Sequence, residues 1–254
     1  MVFFFERGGL QMIKIIIATS SLYSGCLHAS NVTVGISRIK GSFLACFYKN
    51  IYSSILTDMK ATPKFKYFPA KRTLEEIKNG NIDIDAGRVA SLNTFGNKLT
   101  LSEEIIYQDF ISAVSFKKIE LLEKSWLSVT ELLDKGFNPV AVRGFVAVSK
   151  NLKKDTYKKI MLVTNVKNGV NRINNNVNKF KFVLIHPESS YIDYVNKLKR
   201  KYWSHRISEH NLYTVFNKKS IYLKSSFEKK LREYKKNGEY EIIKKKSINA
   251  NNGC

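Results

Sequence analysis

The chain has 254 residues, of which 44% are hydrophobic and 25% charged, a composition that suits one or two domains with a hydrophobic core. No run of 18 or more apolar residues occurs, so we expect no membrane-spanning helix. The formal net charge is +22. Because the lysines are spread along the whole chain beside many Asn, Ile and Tyr residues, we attribute this charge to genome composition rather than to a polyanionic ligand.

Residues 12–29 have the pattern of a secretory signal peptide, with a short basic start, an apolar stretch and the small residue Ala29. We predict that residues 1–29 are removed, that Met12 is the natural start, and that the mature protein is periplasmic. A buried first strand and a lipoprotein cleavage site at Cys26 are the alternatives.

Strand and helix patterns alternate through the rest of the chain. Period-2 or continuous apolar runs predict strands, in chain order, at residues 31–39, 65–68, 82–86, 99–116, 139–148, 161–164, 180–185 and 213–217. Helical spacing predicts helices at residues 42–59, 73–79, 128–135, 153–160, 167–176, 191–203 and 226–237. Such alternation indicates an α/β fold with largely parallel sheets and helices on both faces.

Three helices are predicted to begin with a capping box, in which a hydroxyl residue precedes a Glu by three positions. These hydroxyl residues are Thr73, Ser128 and Ser225. Gly80 and Gly136 are predicted to end the first two helices, since glycine adopts a left-handed conformation at little cost.

The cysteines leave one question open. Only Cys46 and Cys254 remain after the leader, and they could pair in an oxidising compartment, although the sequence does not decide it. We interpret Cys46 as a small buried apolar residue.

Motifs for metals, cofactors and nucleotide binding are absent from the sequence. His186, His205 and His210 lack ligand spacing, and there is no phosphate-binding glycine loop or nucleophile elbow. We therefore expect no metal and no cofactor. The adjacent Glu103 and Glu104 are the only candidates for a general acid.

Lysines alternate with aromatic residues at 64–68 and 197–203, as in some single-stranded nucleic-acid sites. The same alternation occurs in any strand whose aromatic face is buried. Together with the leader, this alternative leads us to expect no nucleic-acid partner.

Two arginines follow predicted strands and have small or apolar neighbours. Arg88 comes after Gly87, and Arg143 precedes Gly144. Ligands gather at the carboxyl ends of parallel strands, where an arginine can bind a carboxylate through two hydrogen bonds. A structural ion pair or a solvent-facing arginine is the alternative, and both stay open.

Residues 72–88, 126–132 and 139–144 resemble, in order and spacing, the family 3 extracellular solute-binding proteins, the polar amino-acid receptors of ABC importers. Residues 227–243 are similar to the terminal helix of that family. The resemblance covers residues 30–246.

This resemblance implies a periplasmic binding protein type II fold. Two lobes, each a mixed, mostly parallel sheet flanked by helices, would be joined by crossover hinge strands. Lobe 1 would comprise residues 30–113 and 216–254, and lobe 2 residues 114–215. The ligand-lining positions of the family correspond to Ser42, Phe43, Gly87, Arg88, Arg143, Gly144 and Phe145. The two arginines would supply positive charge and Phe43 an apolar wall.

The chain departs from the amino-acid-binding pattern in three places. Residues 91–102 lack a Thr-x-x-Arg motif, Phe145 replaces a Thr or Ser, and Asn174 stands where an acidic residue is expected. The resemblance therefore implies a monomeric, non-enzymatic receptor for a small polar or anionic, amino-acid-like metabolite, delivering it to an ABC permease. The alternatives are a dehydratase-like enzyme on the same scaffold and a basic envelope protein that binds polyanions.

Overall fold

The computed structural model describes residues 30–90, 98–116, 118–122, 124–143, 146–175, 182–195, 201–250 and 254. The predicted leader, Gly144 and Phe145 lie outside these residues. Within them, one sheet has eight strands: β1 Asn31–Ile36, β2 Thr62–Tyr67, β3 Ile84–Val89, β4 Leu99–Ser115, β5 Asn138–Val142, β6 Met161–Val163, β7 Phe182–Pro187 and β8 Trp203–Asn217.

The sheet contains two parallel groups of strands joined by an antiparallel pair. Its order is β2-β1-β3-β8-β4-β7-β5-β6. β1 is parallel to β2 and β3, and β5 is parallel to β6 and β7. The long strands β4 and β8 pair antiparallel to each other along almost their whole lengths, and they connect the two groups.

Nine α-helices lie in the described residues: α1 Phe43–Asp58, α2 Ala70–Lys78, α3 Leu127–Asp134, α4 Val146–Asn151, α5 Lys154–Lys158, α6 Val166–Asn175, α7 Glu188–Val195, α8 Lys224–Asn237 and α9 Glu239–Asn249. A 3-10 helix, Lys218–Leu223, precedes α8. None of the helices in the described part of the chain is long and apolar enough to cross a membrane.

Each parallel group has its own hydrophobic core. We call β1–β3 with α1, α2, α8 and α9 the first half, and β5–β7 with α3–α6 the second half. On β4, Tyr107 belongs to the first core and Ile111 to the second. On β8, Ile207 belongs to the second core and Leu212 to the first. The division into lobes at residues 113/114 and 215/216 stays a prediction.

The predicted helix ends are confirmed, because Gly80 and Gly136 have φ values of 76° and 74°. The predicted capping boxes are wrong. α2 begins at Ala70, so Thr73 lies inside the helix and its hydroxyl donates to the carbonyl of Pro69 at 3.2 Å. The hydroxyl of Ser128 is 3.3 Å from Nε2 of His205.

The third box fails for a tertiary reason. α8 begins at Lys224, and the Glu228 carboxylate accepts a hydrogen bond from the Glu103 amide on β4 at 2.8 Å. A side chain that sequence assigned to local capping therefore connects a helix to the sheet.

Cys46 and Cys254 form a disulfide with a Cα–Cα distance of 5.4 Å, within the usual range for such bonds. Cys46 is fully buried in α1, as expected, but the interpretation of it as only an apolar residue is corrected. The bond attaches residue 254 to the helix that follows β1.

Candidate ligand-binding site

A cavity of about 550 Å³ lies between the two halves, next to the carboxyl ends of β1, β5, β6 and β7. Because strands within a parallel group point the same way, the segments that follow them meet at one edge of the sheet, where α/β proteins bind ligands. The volume is within the range of small-molecule sites.

The first half contributes the turn after β1 and the start of α1 to the cavity wall. Residues 38–42 and Leu44 line it, together with Ile248 near the end of α9 and Ala250 just after it. No side chain caps α1, and its first turn has no acidic residue. The first amides of a helix have no intrahelical acceptor and carry partial positive charge.

The second half contributes the start of α6. Thr164, Asn165 and Val166 line the cavity. The Asn165 side-chain oxygen accepts a hydrogen bond from the Asn168 amide at 2.8 Å and so caps α6. Val142 and His186, at the ends of β5 and β7, complete this wall.

α7 lies at the junction, where Ile192 packs on the first core and Tyr194 on a separate cluster of the second half that contains Val140 and Leu184. Ser189 lines the cavity, and Asp109 of β4 lies beneath it with 4% exposure. Asp109 accepts hydrogen bonds from the hydroxyl and, at 3.1 Å, the amide of Ser189. Burial raises the pKa of Asp109, although these bonds and Arg38 oppose that effect. Asp109 therefore acts on the start of α7 and is not among the cavity-lining residues.

Among the described lining residues, Arg38 and Lys40 have cationic side chains. The Nε atom of Arg38 is buried and has no hydrogen-bond partner among the described residues. Its Nη1 donates to the carbonyl of Ser37 at a long 3.4 Å. Burial raises the pKa values of Asp85 on β3 and Asp109 on β4, and the positive charge of Arg38 opposes both increases.

His186 is 7% exposed, and burial lowers the pKa of its imidazole to about 4, with Arg38 adding to the effect. The ring is therefore neutral near pH 7. It offers the cavity a hydrogen-bonding group without charge.

Of the predicted site residues in the described part of the chain, Ser42 alone lines the cavity. Phe43 is 2% exposed and packs in the first core, with ring centroids 6.4 Å from Phe47 and 5.9 Å from Tyr107. The position of Phe43 is therefore that of a core residue, since α1 turns its side chain towards the sheet.

Gly87 and Arg88 are also engaged within the first half. A Cβ atom at Gly87 would overlap the hydroxyl of Tyr48, so this glycine is required for packing. Nε of Arg88 donates to Asp85 at 2.6 Å, and its Nη2 donates to the carbonyl of Ala70 at 2.6 Å. Of the alternatives stated for Arg88, the structure therefore corresponds to the structural ion pair, with Asp85 as the partner.

Arg143 is exposed at the end of β5, where its amide donates to the carbonyl of Val163 at 2.8 Å. Its neighbour Val142 lines the cavity, but Arg143 does not. Its exposure corresponds to the solvent-facing alternative.

The two carboxylates considered for a general acid lie away from the cavity wall. Glu103 accepts from Lys224 at 2.7 Å, and Glu104 from Arg232 at 2.8 Å. The bond from Lys224 lowers the pKa of Glu103. A lowered pKa disfavours a general acid, which must hold its proton near neutral pH.

Sequence reasoning missed Arg38, His186 and Ser189. The rule applied to Arg88, that charged or polar residues after a strand lie at the ligand edge, would have found His186, which follows the strand predicted at residues 180–185. It would not have found Arg38, because the first strand was predicted to continue to residue 39 whereas β1 ends at Ile36. Ser189 carried no signal, because its role depends on Asp109, 80 residues earlier.

No protein-family model matches the chain, and no curated protein matches it in sequence. Solved structures do match its fold. A mutant of ArgBP from T. maritima has a TM-score of 0.61 at 15% identity, covering 87% of this chain and 96% of that one. The ancestral cationic amino-acid solute-binding protein AncCDT-1 has 0.65 at 14%, covering 86% and 96%. The GluR0 ligand-binding core, a complex with L-glutamate, has 0.65 at 12%, covering 87% and 99%.

These matches show a mixed α/β fold of the periplasmic binding protein type II class, as predicted. At these identities the likeness concerns the fold alone.

Proposed function

We propose that the protein is a non-enzymatic solute-binding protein that captures a small polar, amino-acid-like metabolite in the cavity. The observation that carries the proposal is a small-molecule-sized cavity lined from both halves, at the carboxyl ends of parallel strands in both groups. Named neighbours of the same fold bind amino acids or glutamate, which supports this size of ligand.

The setting we propose is the periplasm, with the protein acting as a monomer that delivers its ligand to an ABC permease. The leader pattern at residues 12–29 supports export, and so does the Cys46–Cys254 disulfide, since such bonds persist in oxidising compartments. The two halves close over the ligand to the extent that the closed form binds it more tightly than the open form.

The test is a thermal-shift screen of residues 30–254, in oxidised form, against amino acids, organic acids and polyamines. A ligand at 100 times its Kd adds about 2.7 kcal/mol to the free energy of unfolding and raises Tm. Small-angle scattering with the best compound should show a smaller radius of gyration.

A matched pair of variants tests the location. Ser190→Trp fills the cavity and should abolish the shift, whereas Lys71→Trp adds the same side chain to an exposed position of α2 and should leave it unchanged. Equal responses of the two variants, or no compound that changes Tm, would overturn the proposal.

A further inference from the structure

The charge of the cavity wall has one sign among the described residues. Arg38 and Lys40 line the cavity, and none of the described lining residues is Asp or Glu. An ammonium group bound here would contact no carboxylate of the described lining residues. A bound oxyanion would meet two cations.

Arg38 lacks a counter-ion among the described residues. Asp85 on β3 is paired with Arg88 at 2.6 Å, and Asp109 accepts hydrogen bonds from Ser189 and from the amide of Phe110. A buried donor left without an acceptor destabilises the folded protein. The unpaired Nε therefore marks a position where an acceptor from outside the chain would be stabilised.

The helices that begin around the cavity differ in whether an acidic side chain offsets the partial positive charge of their first turn. At the start of α7, the Ser189 amide donates a hydrogen bond to Asp109, and Glu188 lies in the first turn. α1 and α6 begin at the cavity without an acidic residue in their first turns. The partial positive charge of these helix starts adds to that of Arg38 in the cavity wall.

Resting on the proposed function, we infer that the ligand is a small organic anion without an ammonium group, whose oxyanion is bound by Arg38 and the start of α1. Carboxylates and phosphates share this chemistry, since a guanidinium binds either through two parallel hydrogen bonds. The cationic amino acids named for a neighbour of the same fold do not fit it.

The experiment compares pairs of compounds that differ in the amino group. Calorimetry on oxidised residues 30–254, at low salt, uses malate against aspartate, 2-oxoglutarate against glutamate, and pyruvate against alanine. Inorganic phosphate and arginine are separate arms. We expect at least one anion to bind at least about 10-fold more tightly than its amino analogue, and the phosphate arm to distinguish a phosphate site from a carboxylate site.

The variants locate the contact. Arg38→Gln should weaken binding of that anion by about 100-fold, as expected for loss of a charged hydrogen bond. Arg38→Lys should retain part of the affinity. Arg232→Gln, an exposed arginine of α8, is the matched control and should change nothing.

The outcomes separate this inference from the proposed function. Tighter binding of an amino acid than of its anion, or an affinity unaffected by Arg38→Gln, overturns the inference and leaves the solute-binding function standing. No binding by any compound overturns both. If Arg38→Gln fails to fold, the comparison of each anion with its amino analogue on the wild-type protein still tests the inference.

Discussion

The two halves differ in what fills their cores. Among the described residues, the five largest fully buried side chains are aromatic and belong to the first core: Tyr48, Tyr52, Phe47, Phe216 and Phe227. The buried core of the second half, within the described residues, consists of Ile, Leu, Val and Ala, with both tryptophans only partly buried against it. Large rings bury more apolar area per residue and pack in fewer arrangements.

This difference suggests that the first half is the more rigid support for the charged part of the cavity wall. The first half carries Arg38 in the turn between β1, which contributes to the aromatic-rich core, and α1, which the disulfide ties to residue 254. The second half adds the start of α6 to the cavity from a smaller aliphatic core. A rigid support preorganises a charged group for its ligand, which lowers the cost of binding.

The largest expected effect is on the first half, through the disulfide. Cys254→Ser opens a loop of 208 residues, and the chain-entropy model gives a loss of about 5 kcal/mol in the free energy of unfolding. Denaturant titrations should show it. Reductant should cause the same loss in the wild type and none in the variant.

The two halves have separate spectroscopic reporters for this experiment. Trp126 and Trp203 pack against the second core, so tryptophan fluorescence reports that half, whereas near-UV circular dichroism of the buried tyrosines reports the first. We expect Cys254→Ser to shift the tyrosine transition further than the tryptophan transition. Equal shifts would mean that the halves unfold as one unit.

A smaller effect is expected where the halves meet. The pKa of His186 is about 4 in the folded protein against 6.5 for the free side chain, so the unfolded chain binds the proton first. Stability should therefore fall by about 3 kcal/mol as the pH is lowered from 7.5 to 4, at 1.36 kcal/mol per pKa unit.

His186→Gln should remove this part of the acid sensitivity. The measurement is the difference between variant and wild type in unfolding free energy across that pH range, which cancels the contributions of other groups. A constant difference would contradict the assignment.

The smallest effect tests how the aromatic core is stabilised. The Tyr52 hydroxyl donates to the carbonyl of Ala86 at 2.9 Å and lies 2.6 Å from the hydroxyl of Thr214. Tyr52→Phe leaves these groups unsatisfied in a buried site and should cost about 2 kcal/mol.

Tyr48→Phe is the matched control, because the Tyr48 hydroxyl is equally buried but has no hydrogen-bond partner among the described residues. It should be neutral or slightly stabilising. Equal losses in the two variants, measured by chemical denaturation, would show that ring packing rather than hydrogen bonding explains the effect.

Local signals predicted much of the fold. Apolar spacing placed α1 to within a residue, and the extended run at residues 99–116 is β4. The strand predicted at residues 139–148 is wrong for residues 146–148, since Val146–Asn151 is a helix, whereas β5 is Asn138–Val142. α9 was missed because its Lys run has little apolar periodicity, although Tyr240 is buried and donates to the carbonyl of Ile106.

The long strand β8 and the site depended on tertiary contacts. Polar residues at 203–211 give no strand signal, but pairing with β4 extends β8 to Trp203. The sequence analysis placed positive charge on Arg88 and Arg143, whereas the described cavity wall carries Arg38 and Lys40. Arg88 is paired because Asp85 and the carbonyl of Ala70 accept its hydrogen bonds. No sequence pattern specifies those contacts.

The strand order also constrains how the molecule can be dissected. β4 and β8 serve both halves, so no single cut releases one half with all its strands paired. Joining Ser115 directly to Trp203 would keep the first half continuous, but residues 111–114 of β4 would lose their partner β7. That bare edge invites intermolecular strand pairing, so fragments would need polar substitutions there before they could be handled.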